Sequence, residues 1–158
     1  MANTQSMTTS FLGELMTATH NFGTAPIRAA TTADTFKAAL YLASATINAA
    51  TTAYSSSGEV TGTNYSAGGV TVTNATAPIA TNSSATAGVA YWTSSASITY
   101  TNVTLTTAFD AVLIYNSTQS NKAVSVHTFG SQTITAGTFT LTMPSNTTTT
   151  ALLRLSTT

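Results

Sequence analysis

Residues Phe109 to Gly130 read "FDAVLIYNSTQSNKAVSVHTFG", two apolar runs on either side of six small polar residues. That pattern is a β-hairpin whose loop is "NSTQSN". Strict alternation puts Phe109, Ala111, Leu113 and Tyr115 on one face of the first strand and Asp110, Val112 and Ile114 on the other. Both faces are mostly apolar, so this strand is expected to be covered on both sides. In the return strand Val124 and Val126 share a face.

Strand signals continue outward in both directions. Downstream, "QTITAGTFTLTMP" supplies Ile134, a turn at Ala136-Gly137, and then Phe139, Leu141 and Met143 alternating with Thr138, Thr140 and Thr142. "TALLRLST" forms a last strand. Upstream, "ASITYTNVTLT" places Ala96, Ile98 and Tyr100 on one face, which Val103 and Leu105 join only if a bulge or bend lies near Thr101. "DTFKAALYLASATIN" is read as a strand with Phe36, Ala38, Leu40 and Leu42 on one face, and "VTVTN" as another with Val70 and Val72. The Gly- and Ser-rich "TTAYSSSGEVTGTNYSAGG" between them is loop. "ATAPIATNSSATAGVAYW" has a proline and no clear period, and is expected to be a long connection. Short strands separated by turn signals indicate a mainly β chain, an antiparallel β-sandwich of jelly-roll or Greek-key type over residues 34–158.

Before it, "TTSFLGELMTATHNF" spaces its apolar residues for a short helix from about Ser10 to His20, with Thr9 or Ser10 as cap. Residues 1–33 are therefore read as an N-terminal helix or arm. Its apolar face, Phe11, Leu12, Leu15 and Met16, followed by Phe22, either packs on its own domain or is the candidate docking surface for a neighbouring subunit. An arm of that kind leaves the strands from Asp34 onward able to fold without it.

The chain has 158 residues, 42% of them hydrophobic and only 5% charged, with four residues of each sign and no cysteine. Thr supplies about a quarter of all positions and Ser about a tenth. Hydroxyls thus replace the usual Lys and Glu as solvating groups. Zero formal net charge offers no basic patch for nucleic acid or anionic lipid, so neither nucleic acid nor membrane is an expected partner. No run reaches the roughly 18 apolar residues of a membrane helix. The first 27 residues hold no Lys or Arg, and no secretory signal is expected.

Little chemistry is written into the chain. His20 and His127, with Glu14, Asp34, Glu59 and Asp110, exhaust the usual ligands and general acids, and their spacings match no metal motif. Ser is abundant and Asp110 and His127 fall on strands read as paired, so a Ser-His-Asp arrangement could assemble in space, but no G-x-S-x-G elbow accompanies it. The Gly-rich "GTNYSAGG" lacks the lysine and following helix of a phosphate loop. No enzyme, cofactor or metal is expected. Tyr41, Tyr91, Tyr100 and Tyr115 sit in apolar runs and read as core or interface.

The order of "HNF", "DTFKAALYLASATI", "TTAYSSSGEVTGTNYSAGGVTVTN" and "FDAVLIYNSTQSNKAVSVHTFGSQTITAGTFTLTMP", with phrases such as "FKAALY" and "LIYNSTQSNKAV", resembles small structural proteins of tailed bacteriophages. The likeness spans about Phe11 to Leu155. It implies a capsid decoration or cement protein, made in the host cytoplasm and bound to the outer surface of the virion's head. Its implied partners are the major capsid protein and copies of itself in a homotrimer. A tail or fibre component that binds a host surface is the alternative.

Overall fold

The computed structural model describes residues 3–8, 11, 15, 19, 20, 22, 33–73, 78–80, 89–94 and 97–156. Its strands are β1 (Ser6–Met7), β2 (Phe36–Leu42), β3 (Val70–Val72), β4 (Ile79–Ala80), β5 (Val89–Trp92), β6 (Ile98–Asn116), β7 (Lys122–Leu141) and β8 (Leu153–Ser156). They form two sheets, ordered β1-β7-β6-β2-β3 and β4-β5-β8, and every pairing is antiparallel. The chain is mainly β. The helix expected from about Ser10 to His20 is not seen as an element, and most of that segment lies outside the described residues.

The central hairpin is longer than its local pattern implies. β6 and β7 run for 19 and 20 residues, against an ordinary strand of about 5–6, and pair from Ile98↔Leu141 to Asn116↔Lys122. The chain reverses between them because Ser120 and Asn121 take positive φ, while Asn116 Oδ1 accepts the amides of Thr118 and Gln119 at 3.1 Å each. Asn is one of the few residues that both closes such a turn through its side chain and tolerates the left-handed region.

Four features of the ribbon depend on inserted residues. Asn102 has a φ of 52° and the register shifts between Tyr100 and Val103, so the bend expected near Thr101 is present. Ile98, Tyr100, Val103 and Leu105 consequently all enter one core. The turn expected at Ala136-Gly137 is instead a bulge inside β7: Ala136 has a φ of 47° and Gly137 stands opposite Val103. Each half of β7 has its own stretch of β6 to pair with, and the strand bends without ending.

Phe109 leaves the face that alternation assigns it. β2 pairs Tyr41 with Ala111 and Leu42 with Phe109, so Asp110 is an extra residue and Phe109 turns to the side of Val112 and Ile114. Val124 and Val126 also part company. Ile114 faces Ser125 and Tyr115 faces Ala123; Val124 is thus bulged, packing with Ile114, while Val126 packs with Leu113 on the opposite side. The stretch expected to be one long connection contains β4 and β5, which pair with each other and, through β5, with β8.

Around residues 109–116 and the strands beside them the five-stranded sheet is covered on both faces, as the double apolar pattern there requires, whereas the far halves of β6 and β7 leave one face exposed. On one, Phe36, Leu40, Tyr100, Leu105, Phe109 and Ile114 join Trp92 of the small sheet in the larger core. On the other, Ala39, Tyr41, Ala111, Leu113, Tyr115 and Val126 are capped by the loop after β2 through Ile47, Ala45 and Tyr54. The Tyr54 ring stacks on Tyr115 at 4.7 Å.

Candidate functional site

Of the five residues expected to dock on a neighbour, Phe11 and Phe22 are buried within this chain. Phe22 stacks on Phe36 of β2 at 4.7 Å and tilts against Trp92 of β5 at 4.9 Å, and Phe11 meets Phe22 edge-on at 5.7 Å. The two rings bridge the large sheet and the small one. Leu15 is half-buried against the same core; Leu12 and Met16 lie outside the described residues. The N-terminal stretch is also tied in by its backbone. β1 pairs with Val126 and Ser125 of β7, the Thr8 amide donates to the Val124 carbonyl at 3.2 Å, and Asn3 donates to Asp110.

Beside these rings an apolar cleft of about 130 Å³ opens to solvent, walled by Leu15, Phe22, Tyr91, Trp92, Leu153 and Leu155. Leu155 is 50% exposed, and Ile79 on the other outer strand of the small sheet is 44% exposed. These are the exposed large hydrophobic side chains among the described residues. Sequence reasoning missed this surface because half of it, β4 and β5, was read as connection.

Among the described residues, Glu59, the pair Asp34 and His20, and His127 each anchor a separate polar group. Glu59 is buried and receives Tyr65 Oη at 2.7 Å and the Gly68 amide at 2.8 Å on Oε1, and Tyr54 Oη at 2.6 Å on Oε2. Burial pushes the Tyr41 phenol up to about 12. Tyr54, Tyr65, Tyr100 and Tyr115 are raised as well, first by burial and then by Glu59. With its oxygens filled by donors from 54–68, this carboxylate gathers the loop between β2 and β3 onto itself.

The second group joins Asp34, Asn116 and His20. Asn116 Nδ2 donates to Asp34 Oδ2 at 2.8 Å and lies 3.0 Å from His20 Nδ1. An amide N–H can only donate, so in this contact Nδ1 is the acceptor. Gln119 Nε2 adds a bond to Asp34 Oδ1 at 3.1 Å. This network locks the hairpin turn to the start of β2.

In the third, Ser125 Oγ and His127 Nε2 are 2.9 Å apart, and burial lowers His127 to about 4. Asp110 does not complete a triad: its carboxylate bonds Asn3, and Ser125 is itself only 3% exposed. Among the described residues no three His, Cys, Asp or Glu side chains gather as metal ligands, and no helix is long and apolar enough to cross a membrane. Compared with protein-family models, curated proteins and solved structures, the chain finds no match.

Proposed function

We propose that this chain is a virion structural protein, a capsid decoration or cement protein whose two sheets form an antiparallel β-sandwich of jelly-roll or Greek-key type. It binds the outer surface of a phage head, with the major capsid protein and copies of itself as partners. The observation that carries the reading is the open apolar cleft beside Trp92 and Leu155, on a chain with almost no charge. Exposed apolar surface rimmed by polar groups marks a contact with another protein. The sequence likeness to phage structural proteins supplies the setting.

Such a contact rests on apolar burial, worth about 25 cal/mol per Å² before association costs, and added salt does not screen it as it screens exposed ion pairs. Quantifying the proteins of purified particles tests the assignment. A copy number on the scale of the capsid protein supports the head, one on the scale of tail components supports the tail or fibre alternative, and absence from particles refutes both. On such particles a high-salt wash leaves the protein bound, whereas Leu155→Lys, at a half-exposed position, abolishes binding with the fold intact.

A further inference from the structure

One edge of β7 is paired by β6; among the described residues the other is met near the turn, by Ala53 at Lys122, by the Thr8 amide at Val124 and by β1 at Ser125 and Val126. From Phe129 to Leu141 this second edge has no strand partner among the described residues. Bare edges are ordinarily guarded by charge, proline or shortness. The stretch "FGSQTITAGTFTL" has no charged residue and no proline, and its one left-handed residue is Ala136. Past that bulge the strand is regular, with Phe139↔Tyr100, Thr140↔Thr99 and Leu141↔Ile98. Thr138 and Thr140 are exposed, and Phe139 and Leu141 are half-buried.

We propose that a second copy of this chain adds its own β7 along this edge, antiparallel about a twofold axis at Phe139, so that two sheets become one. A row of free backbone donors and acceptors calls for an extended strand, and the side chains select this same strand. About Phe139 the twofold sets Thr138 opposite the second copy's Thr140 and Phe139 opposite Phe139, which keeps hydroxyls on one face and rings on the other. Aromatic pairs and Thr–Thr pairs are both favourable across antiparallel strands. Phe139 already packs against Phe109 at 5.3 Å and Phe129 at 5.0 Å, and its second copy covers the flank that remains open. With no charge on the stretch, self-pairing brings no like charges together. The result is a dimer, distinct from the trimer that the sequence likeness implies, and it stands independently of any capsid.

Sedimentation of the isolated full chain tests this with two variants at the exposed threonines. The wild type sediments as a dimer. Thr138→Lys with Thr140→Lys sets Lys against Lys at both positions and weakens association by about 100-fold or more, while Thr138→Lys with Thr140→Glu sets Lys against Glu and restores the dimer. A wild type that is monomeric or trimeric overturns the proposal, as does a Lys/Lys variant that associates like the wild type or a Lys/Glu variant that does not recover. Should the Lys/Lys variant fail to fold, hydrogen exchange on the wild type decides: amide protection over Gly137–Leu141 that rises with protein concentration supports the pairing, and protection independent of concentration refutes it.

Discussion

His127 carries a proton less readily in the folded chain than in the unfolded one, because burial penalises its charged form and lowers it to about 4 from an ordinary 6.5. Between those values the unfolded state binds more protons, so stability falls as pH drops from about 6.5 to about 4 and levels off below. The loss is about 3 kcal/mol at most, at 1.36 kcal/mol per pH unit. Chemical denaturation at a series of pH values should show this slope shallower in His127→Gln than in the wild type; equal slopes would assign acid sensitivity elsewhere. Glu59 matters for the opposite reason, since three donors depend on it. Glu59→Ala leaves a buried backbone amide and two part-buried phenols without their acceptor; the stranded amide costs about 1–3 kcal/mol, and the phenols, within reach of water, cost less. A fall in urea midpoint with an unchanged m-value would register it.

Among elements, the long ribbon is shaped by residues in unusual backbone conformations. Ala136, at a φ of 47°, occupies a region that costs a residue with a Cβ roughly 1–2 kcal/mol and glycine almost nothing. Ala136→Gly should therefore stabilise the chain by up to about 1 kcal/mol after the entropy of the unfolded state is counted, raising Tm by about 2–4 °C. The reverse case is Gly69 at the entrance to β3, with a φ of 71°. A Cβ there would fall 1.7 Å from the Ala38 carbonyl oxygen, which is backbone of the central sheet and has nowhere to move. Gly69→Ala is expected to cost more than about 3 kcal/mol, visible as a lower unfolding midpoint or loss of soluble protein.

For the molecule as a whole, the question is whether residues 1–22 are dispensable. An arm reading expects the strands from Asp34 onward to fold alone. Phe11 and Phe22, however, fill the joint between Phe36 of the large sheet and Trp92 of the small one, and deleting a buried Phe side chain alone costs about 3–5 kcal/mol. Against a total stability of about 5–15 kcal/mol, removing both rings and β1 should leave a chain without a cooperative thermal transition. A soluble truncation that melts cooperatively would return the segment to the role of an arm.

The sequence by itself determined what is local: that the chain is β, that "NSTQSN" turns, that a bend lies near Thr101, and that the stretch from Phe109 to Tyr115 has two apolar faces. It could not determine which face Phe109 or Val124 takes. A side chain's face follows from a period of two, and one extra residue reverses every side chain beyond it; whether Asp110 or Val124 is extra is defined only by the partner strand. The same limit merged four expected strands into two and hid β4 and β5, whose few residues become strands by pairing with each other and with β8. The candidate site divided in the same way. Helical spacing correctly marked Phe11 as one of a set of apolar residues, but an apolar face buries itself in its own core as readily as in a neighbour's. Tertiary packing placed Phe11 and Phe22 inside and, among the described residues, left the cleft beside Trp92 and the β7 edge from Phe129 to Leu141 uncovered.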